Sequence, residues 1–449
     1  MRKRVLSILL CMTMAGTLLA GCGNGEPEES SSQSGAGQNE AGESSGENAA
    51  KESETENGER ETVNFWYLWS GDGESGAGNI EELIKAYNAS QDKYEVIGLS
   101  VPDMQKIVTA VSSGTGPDIT DAFMTSIPGY AEEQIAMPLD DLIARDNVDL
   151  TVFAEMPLEV NQYGGKQYAL PINCNPYVLF YNKDLLEEGG YTKLPETMEE
   201  VFEIGKALTK VENGQITCMG SPIVGGWLDL VTYSTGYDFG TAQEVVFVNE
   251  GVRKAIEMVS EQVNYFGADE VSSFNSSAAS LWNSEEDYFR VGNGVFRFDG
   301  PWFYKMAVNS GINVGAMMIP GFADRNGQNY TAFDTSNLYI PSTAKNVDGA
   351  WDFMKYFAMG DGAKMFSVTD GSIPALKTLL DDPDVIATFD PEGASLGTIK
   401  GANLVAKPVR SDISELNTAL GIASDSVILG EPVEDIIAEL EKAQEAYQQ

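Results

Sequence analysis

The chain has 449 residues, enough for two or three domains with large buried cores. Its 28 Lys and Arg face 68 Asp and Glu, and a net charge of -40 repels phosphate backbones and anionic head groups, which argues against a nucleic-acid partner. There is no His, so Ser-His-Asp and Cys-His catalysis and His-ligated zinc are all removed.

At the N-terminus Arg2, Lys3 and Arg4 precede an apolar stretch, Val5 to Leu18, that is short for a membrane span, and Leu19, Ala20, Gly21 and Cys22 follow. The arrangement resembles the lipobox of bacterial lipoproteins. That resemblance implies a signal peptide over 1–21, acylation of Cys22, and attachment to the extracytoplasmic face of the cell membrane through lipid alone. Residues 22–61 are rich in Gly, Ser, Glu, Asn and Gln and bury too little apolar surface to offset their ordering entropy, so they read as a disordered acidic tether. From residue 62 onward 23 basic residues still face 57 acidic ones. Of the four cysteines only Cys174 and Cys218 lie in this body. No metal-ligand spacing is present, and an exported location permits a disulfide between them as readily as two buried thiols.

Past the tether the pattern predicts strand 63–69, helix 80–89, strand 94–101, helix 104–113 stopped by Gly114 and Gly116, and strand 117–123, which together read as an α/β layer with parallel pairing. An extended run follows over 168–181, then a helix over 198–209, a strand over 215–219 and a helix over 252–263. Short strands over 295–298, 313–319 and 337–341 and helices over 350–358 and 433–446 repeat the theme. Gly71, Gly73 and Gly76 spell GxGxxG between the first strand and helix, but Asp72 and Glu74 inside that turn would repel a pyrophosphate. A neutral ligand rich in hydroxyls suits those acids better.

The motifs then accumulate in order. Ser112 to Asp118 carries a small-Gly-x-x-Pro-Asp element, and Ala136 to Leu139 with Asp140 a Pro-Leu-Asp turn. Gly165, Lys166, Tyr168, Leu170 and Pro171 lead to Tyr181, Asn182, Lys183, Asp184 and Leu185; Pro195, Glu196 and Thr197 follow, with Met198 where Trp is usual. Asp299, Gly300, Pro301 and Trp302, then Ile319, Pro320 and Gly321, then Gly371, Ile373 and Pro374 complete the series. Over 62–449 this resembles family 1 of the extracellular solute-binding proteins of ABC sugar importers, the maltose-binding-protein-like group.

The resemblance implies an α/β, two-lobed periplasmic-binding-protein-like (type II) fold, hinged, each lobe a central mixed sheet flanked by helices. Its expected limits are 62–173 plus 321–364 for the N-terminal lobe and 174–320 plus 365–449 for the C-terminal lobe. It implies capture of a neutral carbohydrate, an oligosaccharide above all, by hinge closure and delivery to ABC transporter permease subunits, by a monomer with no cofactor, no metal and no catalysis. Carried over by register, Trp302 falls on the stacking Trp and Trp227, after Gly225 and Gly226, where an aromatic is frequent. Trp69 ends the first strand beside the glycine turn. Asp72, Glu74, Thr125, Ser126, Asn173, Asn175 and Asp299 supply candidate polar contacts; Asn175 stands where maltose-binding relatives have a carboxylate. Trp351 is expected in a core, and Trp66 and Trp282 in packing. On the residues alone two other readings stay open: a surface glycoside hydrolase with paired carboxylates, and a structural or adhesive surface lipoprotein.

Overall fold

In the computed structural model, residues 60–70, 76–325, 330–400 and 404–448 are described. Strands Glu61–Tyr67, Tyr94–Ser100 and Ile119–Phe123 pair in parallel, with the first in the middle. Helix Ala77–Ser90 crosses between the first two and buries Ile80, Leu83, Ile84 and Tyr87 at helical spacing. Helix Met104–Ser112 makes the second crossover, begun by Asp103, whose carboxylate accepts from the N–H groups of Gln105 at 3.0 Å and Lys106 at 3.3 Å. Strand Ser336–Tyr339 then returns antiparallel and sits between Ile119–Phe123 and Ala169–Pro171, giving a five-stranded mixed sheet. Val63, Phe65, Ile119, Leu170 and Leu338 pack under helix Val347–Met359, where Trp351 is fully buried as expected, its indole N–H 2.8 Å from Asp146.

The run predicted as one extended segment over 168–181 is broken into Ala169–Pro171, Asn175–Pro176 and Val178–Asn182, because the chain passes from one core to the other between them. Val178–Asn182 is the middle of a second sheet, antiparallel to both Phe296–Asp299 and Val314–Met317, and Met219 bridges in parallel to Gly294. Parallel pairing thus holds for the first three strands of the first sheet and not for the second sheet. Helix Glu250–Phe266 closes this core with Val252, Ile256 and Val263. Two helices not predicted above join it: Ser414–Ile428, and the Ser-rich Ala268–Ser280, which buries only Val271 and Ala278.

The molecule is therefore two-lobed. Phe322 packs in the second core, and Phe366, Ala375 and Leu376 pack in the first. Three crossing segments lie side by side between them. Asn173 accepts the Ser336 N–H at 2.8 Å, the Thr335 hydroxyl donates to the Asn173 carbonyl at 2.6 Å, and the Cys174 N–H reaches the Ile373 carbonyl at 2.8 Å. Cys174 and Cys218 are both free thiols, buried in different clusters. Among the described residues no helix is long and apolar enough to cross a membrane.

Candidate functional site

Where the crossings open into the second lobe, three aromatic side chains converge. Tyr177 leaves the crossing one residue after Pro176, its ring 5.2 Å from that of Trp227 and 6.3 Å from that of Trp302. All three are half-buried. Trp227 immediately precedes helix Leu228–Ser234, after Gly225 and Gly226 with φ of 92° and 71°, a left-handed pair that a side chain at either position would strain. A β-carbon on Gly226 would also lie 2.6 Å from the Ser424 hydroxyl. Trp302 opens helix Trp302–Asn309, and its ring folds back over Gly300, where a β-carbon would stand 2.2 Å from the ring. The glycines thus put two indoles on one wall with Tyr177 between them. The Trp227 indole N–H is buried without a partner.

Carboxylates border this wall. Asp229, two residues beyond Trp227, pairs with Lys407 at 2.8 Å. Asp334 lies half-buried at the second crossing, paired in register with Asn175; burial pushes its carboxyl up to about 6, opposed only by the Thr335 N–H. The Tyr177 hydroxyl is raised well above its ordinary range, first by burial and then by Asp334, Asp229 and Asp299. Two more buried acids lie near the crossings. Asp370 is pushed up to about 7 by burial, partly offset by the Ser372 hydroxyl and Lys305; one of its oxygens accepts from Ser372 and the other has no partner. Asp121 is also pushed up to about 7 by burial, although it accepts the Leu68 N–H at 2.9 Å.

The residues expected from the sequence fall into three groups. Trp227 and Trp302 share the wall. Thr125 and Ser126 sit half-buried in the loop after Ile119–Phe123; Thr125 lines a crevice with Lys407, Pro408 and Val409 of the second lobe, so the loop reaches the wall through the Lys407–Asp229 pair. The Ser126 hydroxyl lies 3.9 Å from the Met104 sulfur. Trp69 has its ring edge-on to Phe366 at 5.4 Å, on helix Asp361–Asp370, whose following Gly371 abuts Trp302.

Asn173, Asn175 and Asp299 are buried and already engaged. Asn173 ties two crossings, and Asn175 accepts the Ile373 N–H at 2.8 Å and donates to Ser372 at 3.4 Å. Asp299 accepts the Gly300 N–H at 2.8 Å and the Arg297 guanidinium at 2.8 Å. Asp72 and Glu74 lie outside the described residues. Tyr177, Asp229 and Asp334, which border the wall, were not singled out by the sequence, whereas Trp282 packs against the second core as expected, its ring 6.0 Å from Trp227. The tyrosine directly after the Asn-Pro of the first crossing was the one available signal.

Two relatives and one solved structure are informative. A maltotriose-binding protein of Pyrococcus abyssi is 25% identical over 314 residues, 68% of this chain and 65% of that protein. A galactooligosaccharide-binding protein of Bacillus subtilis is 24% identical over 326 residues, 71% and 73% of the two chains. The structure of CpMnBP1 with mannotriose bound matches with a TM-score of 0.75 at 22% identity, covering 86% of this chain and 99% of that one, a likeness of fold. The family model described as "Bacterial extracellular solute-binding protein" matches residues 82–390, more than half of the chain, which establishes that this chain is a bacterial extracellular solute-binding protein.

Proposed function

We propose that this protein captures a neutral oligosaccharide in the cleft beside Tyr177, Trp227 and Trp302, closes about its three crossings, and presents the closed form to an ABC importer without altering the ligand. The observation that carries the reading is the aromatic wall flanked by Asp229 and Asp334. A sugar offers a C–H face that stacks on rings and a hydroxyl edge that donates to carboxylates. Stacking at about 0.5–1.5 kcal/mol per ring beyond area burial, with hydroxyl bonds of about 1 kcal/mol each, is compatible with micromolar affinity. Both named relatives carry oligosaccharides in their names, which supports the ligand class. In this reading Thr125, Ser126 and Trp69 act from the first lobe, Asn173, Asn175 and Asp299 hold the hinge and wall, and Asp72 and Glu74 are further polar partners of the ligand's hydroxyls. The lobes divide within the three crossings. Cys22 anchors a monomer by lipid at the extracytoplasmic face; it lies outside the described residues. Differential scanning against mono- and oligosaccharides tests the reading: at least one oligosaccharide raises the melting temperature, and a panel without any shift overturns it.

A further inference from the structure

We propose that Arg297 is the positioning residue of the aromatic wall, its buried guanidinium setting the angle between the arm that carries Trp282 and Trp227 and the arm that carries Trp302. Arg297 lies on strand Phe296–Asp299 with no exposed surface. Its guanidinium carbon stands 3.5 Å from the centroid of the Trp282 ring and 3.8 Å from that of Phe303, the residue following Trp302. Its donors fork to both arms. One terminal nitrogen reaches Asp287 at 2.6 Å and the other Asn283 at 2.7 Å, which fixes the loop that bears Trp282; Asp287 also accepts the Asn283 N–H at 3.1 Å. The Nε–H reaches Asp299 at 2.8 Å, and the other oxygen of Asp299 takes the N–H of Gly300, the glycine on which the Trp302 ring rests. Trp282 in turn lies against Trp227, and Trp227 and Trp302 each lie against Tyr177.

A buried cluster of one arginine and two aspartates returns little stability that well-packed apolar side chains of similar volume would not match. What an apolar filling lacks is direction: a rigid plane stacked between two rings with five N–H donors fixed in angle. Both arms thereby stand preset before any ligand arrives, which removes an ordering cost from binding.

The inference rests on the sugar-receptor reading for its consequence, while its first readout needs no ligand. The intact chain labelled with 5-fluorotryptophan is examined by fluorine NMR as the parent, as Arg297→Lys, and as the triple variant Arg297→Met, Asp287→Asn, Asp299→Asn, which leaves no unpaired buried charge. Without sugar, the Trp227, Trp282 and Trp302 resonances shift or broaden in both variants while those of Trp66 and Trp351 stay unchanged. Titration with maltotriose and mannotriose then shows at least a tenfold loss of affinity for whichever sugar the parent binds. Unchanged resonances at the three rings in Arg297→Lys, or parental affinity in a folded triple variant, overturn the proposal and leave Arg297 as a neutraliser of two acids. A parent that binds neither sugar while the variant resonances move leaves the positioning role standing and counts against the sugar reading instead.

Discussion

Gly300 has no room for a side chain, because its missing β-carbon is the seat of the Trp302 ring. Gly300→Ala therefore expels the indole from the wall, and its effect on binding follows that of Trp302→Ala. Losing one stacked indole, with about 1.4–2.8 kcal/mol of contact, lowers affinity for the best-binding sugar by about 10- to 100-fold. Isothermal titration checks this, and parental affinity in either variant contradicts the wall as the binding surface. The buried acids give a pH signature. Asp121 and Asp370 hold their protons to about 7 in the folded chain, whereas the unfolded chain releases them near 4. Between those values the folded state binds more protons, so stability falls as pH rises from about 4 to 7 and levels off above. Acids held low by cation partners, Asp146 beside Arg145 and Asp412 beside Arg410, lose their contribution only below about 4. Thermal melts from pH 5 to 8 show a declining midpoint, and Asp370→Asn flattens part of it; an unchanged slope in that variant rules Asp370 out as a source. None of this was visible in the sequence, where each of these acids is one among 68.

At the scale of elements, the crossings show what alternation of residue types can and cannot reveal. The first-lobe strands and helices were readable because apolar residues recur at sheet and helix periods against a solvated face. The 168–181 run read as continuous because nearly every residue in it is buried, and its polar interruption, Asn173 and Asn175, is buried with the rest where the chain changes lobes. Helix Ala268–Ser280 left no trace, since it buries two residues and takes its support from neighbouring helices. Asn173 and Asn175 lace the crossings, an engagement that depends on backbone N–H groups from segments about 160–200 residues away. Asn175→Ala leaves the Ile373 N–H unpaired in a buried site and costs about 1–3 kcal/mol. Urea unfolding should show that loss at unchanged m-value, and full stability in the variant means the N–H has found another acceptor.

For the whole molecule, closure about the crossings is a population shift, so the ligand must favour the closed form by contacts both lobes make only when shut. Small-angle scattering should record a smaller radius of gyration on adding the sugar that stabilises the protein most; an unchanged radius counts against hinge capture. The two body cysteines supply a check on the core. Burial pushes both thiols up, and Cys174 is fully enclosed at the junction of the lobes. A chain beginning at residue 23 should titrate no thiol when native and two in denaturant, and none in denaturant would mean a disulfide.

The order of motifs, the α/β alternation of the first lobe, the acidic balance and the absence of histidine are properties of composition and local periodicity, and they were legible without coordinates. Trp227 and Trp302 could be singled out in the same way, because each follows a glycine-bearing turn. The convergence of those rings on Tyr177, the Arg297 cluster behind them, and the engagement of Asn173, Asn175 and Asp299 in holding the frame were decided only by tertiary structure. A carboxylate or amide reads the same along the chain whether it faces a ligand or a backbone N–H more than a hundred residues away, and only packing selects between them.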